Sequence, residues 1–251
     1  MPQKSNNHSN DGEMNTMFPK IIRSRNKDLS VVTVKYLNET VGLQIDESRC
    51  QGCGTCVKIC PTNALERGPI GGILKKSIEK SVSTVVSPNA CSYCGLCSYL
   101  CPWTAISLMK NGEKVVLENL EIVQKKAVPE LVFIFKECKN RIPKAKSYLE
   151  GNLEINTENC PGGCNTCIEV CPTEALSVQK SGNLWEKGRK IIVDDKKCIL
   201  CGVCTNSCPV EDAIRINITK VNFKGNYQPI FWDKTIERLK TSRMREGERI
   251  N

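Results

Sequence analysis

Apolar residues along this chain come in short runs broken by polar turns. SVVTVKY (Ser30 to Tyr36) and VGLQID (Val41 to Asp46) flank the polar turn NET and read as the two strands of a hairpin. Comparable β-branched or alternating runs follow: the segment after the turn at Gly68 to Gly72, VFIF at Val132 to Phe135, NLEIN at Asn152 to Asn156, KIIVD at Lys190 to Asp194, and AIRIN at Ala213 to Asn217. A helical period shows at the end, where QPIFWDKTIERLKTSRMRE puts Trp232, Ile236 and Leu239 on one face, expected to pack on the chain's own body. At the other end, residues 1–27 are rich in Asn, Ser and Lys without periodicity. They predict a disordered or loosely packed arm in which the lone His8 is simply solvated.

Composition explains why the runs are short. Aromatics make up only 5% of 251 residues, too few for a large conventional core, so the chain reads as small modules. No apolar run approaches the length of a membrane span. What the chain has in abundance is cysteine, seventeen in all.

Sixteen of these fall into four loops. CQGCGTCVKICP from Cys50, CSYCGLCSYLCP from Cys91 and CILCGVCTNSCP from Cys198 share the spacing C-x2-C-x2-C-x3-C-P, and CPGGCNTCIEVCP from Cys160 adds one residue in its first gap. Each ends in Cys-Pro followed shortly by Ala and an aliphatic residue: CPTNAL, CPWTAI, CPTEAL, CPVEDAI. A short loop can wrap three iron corners of a cubane, while the fourth corner takes a cysteine from elsewhere, and this spacing is that of bacterial-type iron-sulfur ligation. Proline after the fourth cysteine removes an amide donor and fixes the direction of the next turn. At Cys160 the extra residue lies in Pro161-Gly162-Gly163, where two glycines permit a tight excursion, so this loop also reads as a ligand loop.

Other cysteine chemistries fit less well. Structural zinc asks for two C-x2-C knuckles a dozen or more residues apart, not a third cysteine in each knuckle and a Cys-Pro. Disulfides need an oxidising compartment, yet the first twenty-five residues show neither an apolar leader core nor a twin-arginine signal, so a cytoplasmic location is expected. Cys138 stands outside the repeat and reads as a free or buried thiol.

The net charge of +9 suggests nucleic acid until the cofactors are counted. Each oxidised cube with its thiolates carries about −2, which brings the loaded chain to about +1. The basic residues then read as compensation for buried anionic clusters and as a docking face for an acidic partner, with no nucleic acid.

In two-cluster loops the fourth cysteine serves the neighbouring loop's cluster. The ligand sets expected are Cys50, Cys53, Cys56 with Cys101; Cys91, Cys94, Cys97 with Cys60; Cys160, Cys164, Cys167 with Cys208; and Cys198, Cys201, Cys204 with Cys171. All sixteen positions are cysteine, so four 4Fe-4S clusters are expected. Gly54, Gly95 and Gly202 would let loop amides approach the sulfides, while Trp103 and Tyr93 would shield clusters or simply pack. No set of residues for acid-base or nucleophilic work stands out, and no catalytic residue is predicted.

On these loops and tails, which span about half the chain, the sequence resembles the 2[4Fe-4S] ferredoxins repeated twice, and more particularly the archaeal polyferredoxins. ALERGPIGGI after the first loop is similar to the polyferredoxin-type subunit of formylmethanofuran dehydrogenase, from which the chain departs in having fewer loops and the expansion at Cys160. The resemblance implies an α+β fold of two tandem ferredoxin-like βαββαβ modules with short strands and helices, an anaerobic cytoplasm, and single-electron transfer at a potential of about −400 mV. Boundaries are placed at 28–138 for the first module, 139–150 for a linker, 151–224 for the second module and 225–251 for a helical tail. The expected function is an electron relay to a partner oxidoreductase, itself no enzyme, in which VFIF and the strands around it give the bridge between modules material to pack. The alternative is the iron-sulfur subunit of a molybdopterin oxidoreductase or hydrogenase, which pairs the first loop with the fourth and the second with the third.

Overall fold

A computed structural model describes residues 19–68, 84–115, 127–138, 144–160, 164–178 and 191–241. Expectations for His8 and the arm to residue 18, for most of the Gly68 to Gly72 turn, for Pro161 to Gly163, and for residues 139–143 and 242–251 lie outside these.

In the N-terminal half the chain runs β1 (Lys20–Asn26), β2 (Leu29–Lys35), β3 (Thr40–Asp46), α1 (Thr55–Ile59), β4 (Leu65–Arg67), β5 (Thr84–Val86), α2 (Leu96–Tyr99), β6 (Ile106–Lys110) and β7 (Glu113–Lys114). A bridge of β8 (Glu130–Leu131), β9 (Ile134–Glu137) and β10 (Lys144–Ser147) follows. The C-terminal half holds β11 (Leu149–Ile155), α3 (Thr166–Glu169), β12 (Leu176–Val178), β13 (Ile191–Val193), α4 (Val203–Ser207), β14 (Ile214–Val221), β15 (Phe223–Lys224) and α5 (Pro229–Lys240).

The expected hairpin forms with Val32 opposite Leu43 and Val34 opposite Val41. Alternation turns Val32 and Val34 inward from β2, and Leu43 and Ile45 inward from β3. Gly42 is needed there, because a Cβ would stand 2.6 Å from the Val32 carbonyl oxygen. β6 lies on the other side of β3, and β7 completes a sheet of order β1-β2-β3-β6-β7. Within each half the first and last strands around the loops pair antiparallel, β3 with β6 and β11 with β14, and the inner strands pair as β4 with β5 and β12 with β13.

Three expectations change. Lys20–Asn26 belongs to the expected arm but forms β1, whose seven residues pair with β2 in continuous register although every side chain is exposed. Backbone hydrogen bonding to an existing sheet edge holds it, a gain that hydrophobic period does not reveal. The expected linker is also structured: Lys144–Ser147 pairs with β9, and β11 begins at Leu149. Lastly, of the material expected to pack the bridge, VFIF contributes little: among the described residues β9 pairs with β10 alone, and Val132, Phe133, Ile134 and Phe135 are 47%, 39%, 63% and 58% exposed.

Buried Ala145, Tyr148 and Leu131 bind the bridge instead. The Tyr148 hydroxyl donates to the Leu100 carbonyl at 2.5 Å, the Lys146 amide to the Pro102 carbonyl at 2.8 Å, and the Leu131 amide to the Tyr99 hydroxyl at 2.8 Å. β8 pairs with β15, so the bridge also reaches the far end of the C-terminal half. One core joins Ile59, Leu96 and Leu100 to Tyr148, Ile218 and Val221, and α5 closes it with Trp232 and Leu239, as its helical face predicts. Among the described residues no helix is long and apolar enough to cross a membrane.

Candidate iron-sulfur sites

Each loop turns into a helix of four or five residues that carries its third cysteine. Gly54, Gly95 and Gly202 precede α1, α2 and α4 with φ of 76°, 78° and 81°, a left-handed backbone that glycine adopts without a Cβ penalty. The expanded loop differs, since Asn165 before α3 has φ of −109°. Gly52, Tyr93 and Leu200, each directly before the second cysteine of its loop, are also left-handed, at 64°, 52° and 55°. So are Asn63, Thr104, Glu174 and Asp212, each directly before the alanine of its tail. These turns steer backbone amides toward sulfur. Ala64 N–H donates to Cys60 Sγ at 3.2 Å, Ala105 to Cys101 at 3.3 Å, Ala175 to Cys171 at 3.3 Å, and Tyr93 to Cys91 at 3.4 Å. The repeated alanine thus has a reason: at Ala64, Ala105 and Ala175 its amide meets the sulfur, and in all four tails its side chain is buried.

The thiols gather in four sets. Cys60 joins Cys91, Cys94 and Cys97 around a partly open cavity of about 300 Å³. Cys208 joins Cys160, Cys164 and Cys167 around one of about 340 Å³, and Cys171 joins Cys198, Cys201 and Cys204 around one of about 320 Å³. Cys50, Cys53, Cys56 and Cys101 lie together at the first core, where burial, followed by neighbouring Cys53 and Cys50, pushes the Cys101 thiol up to about 12. Burial and then Cys53, Cys50, Cys97 and Cys101 likewise raise Cys56 well above a normal thiol. Cys204 is raised to about 12 by burial and then by Cys198 and Cys171, and Cys167 to about 11 by burial and then by Cys160 and Cys208. Thiolates so placed would repel one another, and a cationic iron core between them would supply the missing compensation.

The donor set fits such a core. The sulfurs ring cavities lined by Leu43, Leu65 and Leu96, or by Ile155, Ile191 and Ile214. Among the described residues no group of three His, Cys, Asp or Glu is arranged to hold a single metal ion. Trp103 is buried in the same core as Cys53, Cys56, Cys97 and Cys101, and its indole N–H has no acceptor among the described residues. Cys138 joins none of the four sets; its thiol is half-buried, with Sγ 3.6 Å from the Lys136 carbonyl.

The 4Fe-4S binding domain family matches residues 43–66, and the 4Fe-4S dicluster domain family matches residues 159–212. Together these two stretches make up about a third of the chain. It is 38% identical over 58 residues to the polyferredoxin-like subunit of aliphatic sulfonate oxidoreductase from Pyrococcus furiosus, covering 23% of this chain and 29% of that one. With NADH-quinone oxidoreductase subunit I from Pelobacter propionicus it is 32% identical over 74 residues, covering 28% of this chain and 39% of the relative. The chain therefore spans well under half the length of either curated relative. Similarity to a solved structure is broader. One chain of the formate dehydrogenase, heterodisulfide reductase and formylmethanofuran dehydrogenase complex from Methanospirillum hungatei superimposes with a TM-score of 0.70 and 26% identity, over 90% of this chain and 93% of that one.

Two features of these sites were not read from the sequence: the left-handed backbone at Tyr93, Leu200 and the residue before each tail alanine, and the alanine amides on sulfur. The CPxxA repeat was the available signal for the second, while the side chains of tyrosine and leucine carry no signal for the first.

Proposed function

We propose that this chain is a polyferredoxin-like electron carrier holding four 4Fe-4S clusters, one in each thiol set, within two tandem βαββαβ modules. The observation that carries this reading is the make-up of the sets: three cysteines of one loop are closed by the Cys-Pro cysteine of the adjacent loop. Adjacent rather than nested grouping favours the ferredoxin pattern over that of a molybdopterin-oxidoreductase subunit. The order strand, helix, strand, strand, helix, strand, found once in each half, supports the module reading.

When bound, such a cluster takes up and gives back one electron at low potential. The chain's own residues do the rest. Ala64, Ala105, Ala175 and Tyr93 direct amides at sulfur, which stabilises the more negative state. Leu43, Leu65 and Leu96 keep water from one set, and Leu153, Leu176 and Leu200 from another.

The partner proposed is the catalytic part of an oxidoreductase complex, with formylmethanofuran dehydrogenase the first candidate because the structural match extends over nine-tenths of both chains. The chain would work in an anaerobic cytoplasm and catalyse nothing by itself. Anaerobic isolation of the tagged chain from its own cells is expected to bring down a catalytic redox subunit. The isolated chain should be reduced by dithionite and turn over neither hydrogen, formate nor nicotinamide. Turnover by the chain alone, or a chain that dithionite does not reduce, would contradict the proposal.

A further inference from the structure

The two halves meet where the Cys50 to Cys56 loop faces the Cys198 to Cys204 loop. Asn206, on α4, donates from Nδ2 to the Cys53 carbonyl at 2.8 Å, a bond between residues 153 apart in sequence. The first loop leaves room for this approach, since a Cβ on Gly54 would stand 3.3 Å from Asn206 Nδ2, and the two loops are close enough that a Cβ on Gly202 would be in ordinary contact with the Cys53 oxygen at 3.7 Å. Cys53 and Cys201 line the same open recess, with Thr55 and Asn206. Behind them Tyr148 is fully buried, and its phenol is raised by burial and then by the electrostatic influence of Cys53, Cys101 and Cys201. Val170, Ile199 and Val203 from the C-terminal half complete the core around Cys53, Cys56 and Cys101.

These contacts give the sets an order that differs from chain order. The Cys91 set shares a core with the Cys50 set, the Cys50 set faces the Cys198 set across the junction, and the Cys198 set shares a core with the Cys160 set. We infer that the two halves exchange electrons at the contact between the Cys50 and Cys198 loops, and that Asn206 is the positioning residue that fixes it. This rests on the four-cluster reading proposed above. One electron, placed in one half by a low-potential donor protein, arrives in the other with no bond made or broken and no proton moved. Asn206 contributes geometry: without its amide the Cys53 carbonyl loses its partner and the two loops lose their register, and small displacements of reacting groups have large effects on rate.

The test uses the full-length chain, loaded anaerobically, with the outer sets disabled by Cys94→Ser and Cys164→Ser so that two paramagnetic centres remain on reduction. Their magnetic interaction, read by EPR, reports the junction alone. If that background fails to load, the pulsed EPR distances of the intact reduced chain supply the readout. Asn206→Ala, and the isosteric Asn206→Asp, which cannot donate to Cys53, are expected to keep full iron while the interaction is lost or the distance between halves lengthens. Full iron with an unchanged interaction overturns the inference and leaves the iron-sulfur reading standing. Loss of iron in both variants also overturns it, because Asn206 would then build a site rather than position a junction. A parent chain that holds no iron and sulfide overturns the iron-sulfur reading instead.

Discussion

Cys60 follows α1 in the first loop, yet its sulfur faces Cys91, Cys94 and Cys97 of the second. Cys60→Ser is therefore expected to damage mainly that set while the two sets of the C-terminal half keep their iron, as EPR of the reduced variant would show. A defect in the C-terminal half would instead indicate nested pairing. The glycine before α4 offers a second test. At φ 81° a Cβ on Gly202 would find only ordinary contacts, so the cost of Gly202→Ala is conformational, about 1–2 kcal/mol. It should show as a lower urea midpoint of the loaded chain, whereas Asn165→Gly, where φ is already negative, should bring no gain. The cysteines were legible from sequence because their spacing is set by covalent reach around a cube. Leu200 and Tyr93 were not, since nothing about leucine or tyrosine favours the left-handed backbone they adopt; the loop imposes it.

Helices α1 to α4 have only four or five residues, far below the roughly 12–15 at which an isolated helix becomes marginal in water. They persist by packing around the thiol sets, so oxidative removal of iron under a chelator should abolish them, with a loss of helical circular dichroism that anaerobic reconstitution restores. α5 stands apart. It is twelve residues long, starts with proline in its first turn, and carries Arg238 and Lys240 in its last, where basic residues suit the helix dipole. Trp232 is fully buried and meets Phe223 edge-on at 5.6 Å between ring centres. Trp232→Ala should cost about 3–5 kcal/mol and speed proteolysis around residues 228–241 of the loaded chain. α5 could be read from its 3.6-residue period, but β1 and β10 could not. β1 has no buried side chain, and β10 buries chiefly Ala145 in a lysine-rich stretch that resembles a linker.

At the scale of the whole molecule, paired modules would be a tether of two sites if the bridge were slack. Instead β8 pairs with β15, Tyr148 and Lys146 bond back to Leu100 and Pro102, and Asn206 bonds across to Cys53, so the two halves share a core. That the bridge packs was expected of VFIF and the strands around it; the strands around it pack and VFIF does not. VFIF is the most apolar stretch of the bridge, yet it stays exposed, since among the described residues no further strand or helix covers β9, while Ala145 and Tyr148 pack because they lie against the N-terminal half. Hydrophobicity names candidates for burial; topology decides among them. The central claim is that all four thiol sets hold 4Fe-4S clusters, and the most direct test is the iron, sulfide and zinc content of anaerobically prepared protein. The account predicts about sixteen iron and sixteen sulfide per chain, because the proposed grouping assigns sixteen thiols to four clusters. Stoichiometric zinc with little sulfide would contradict it.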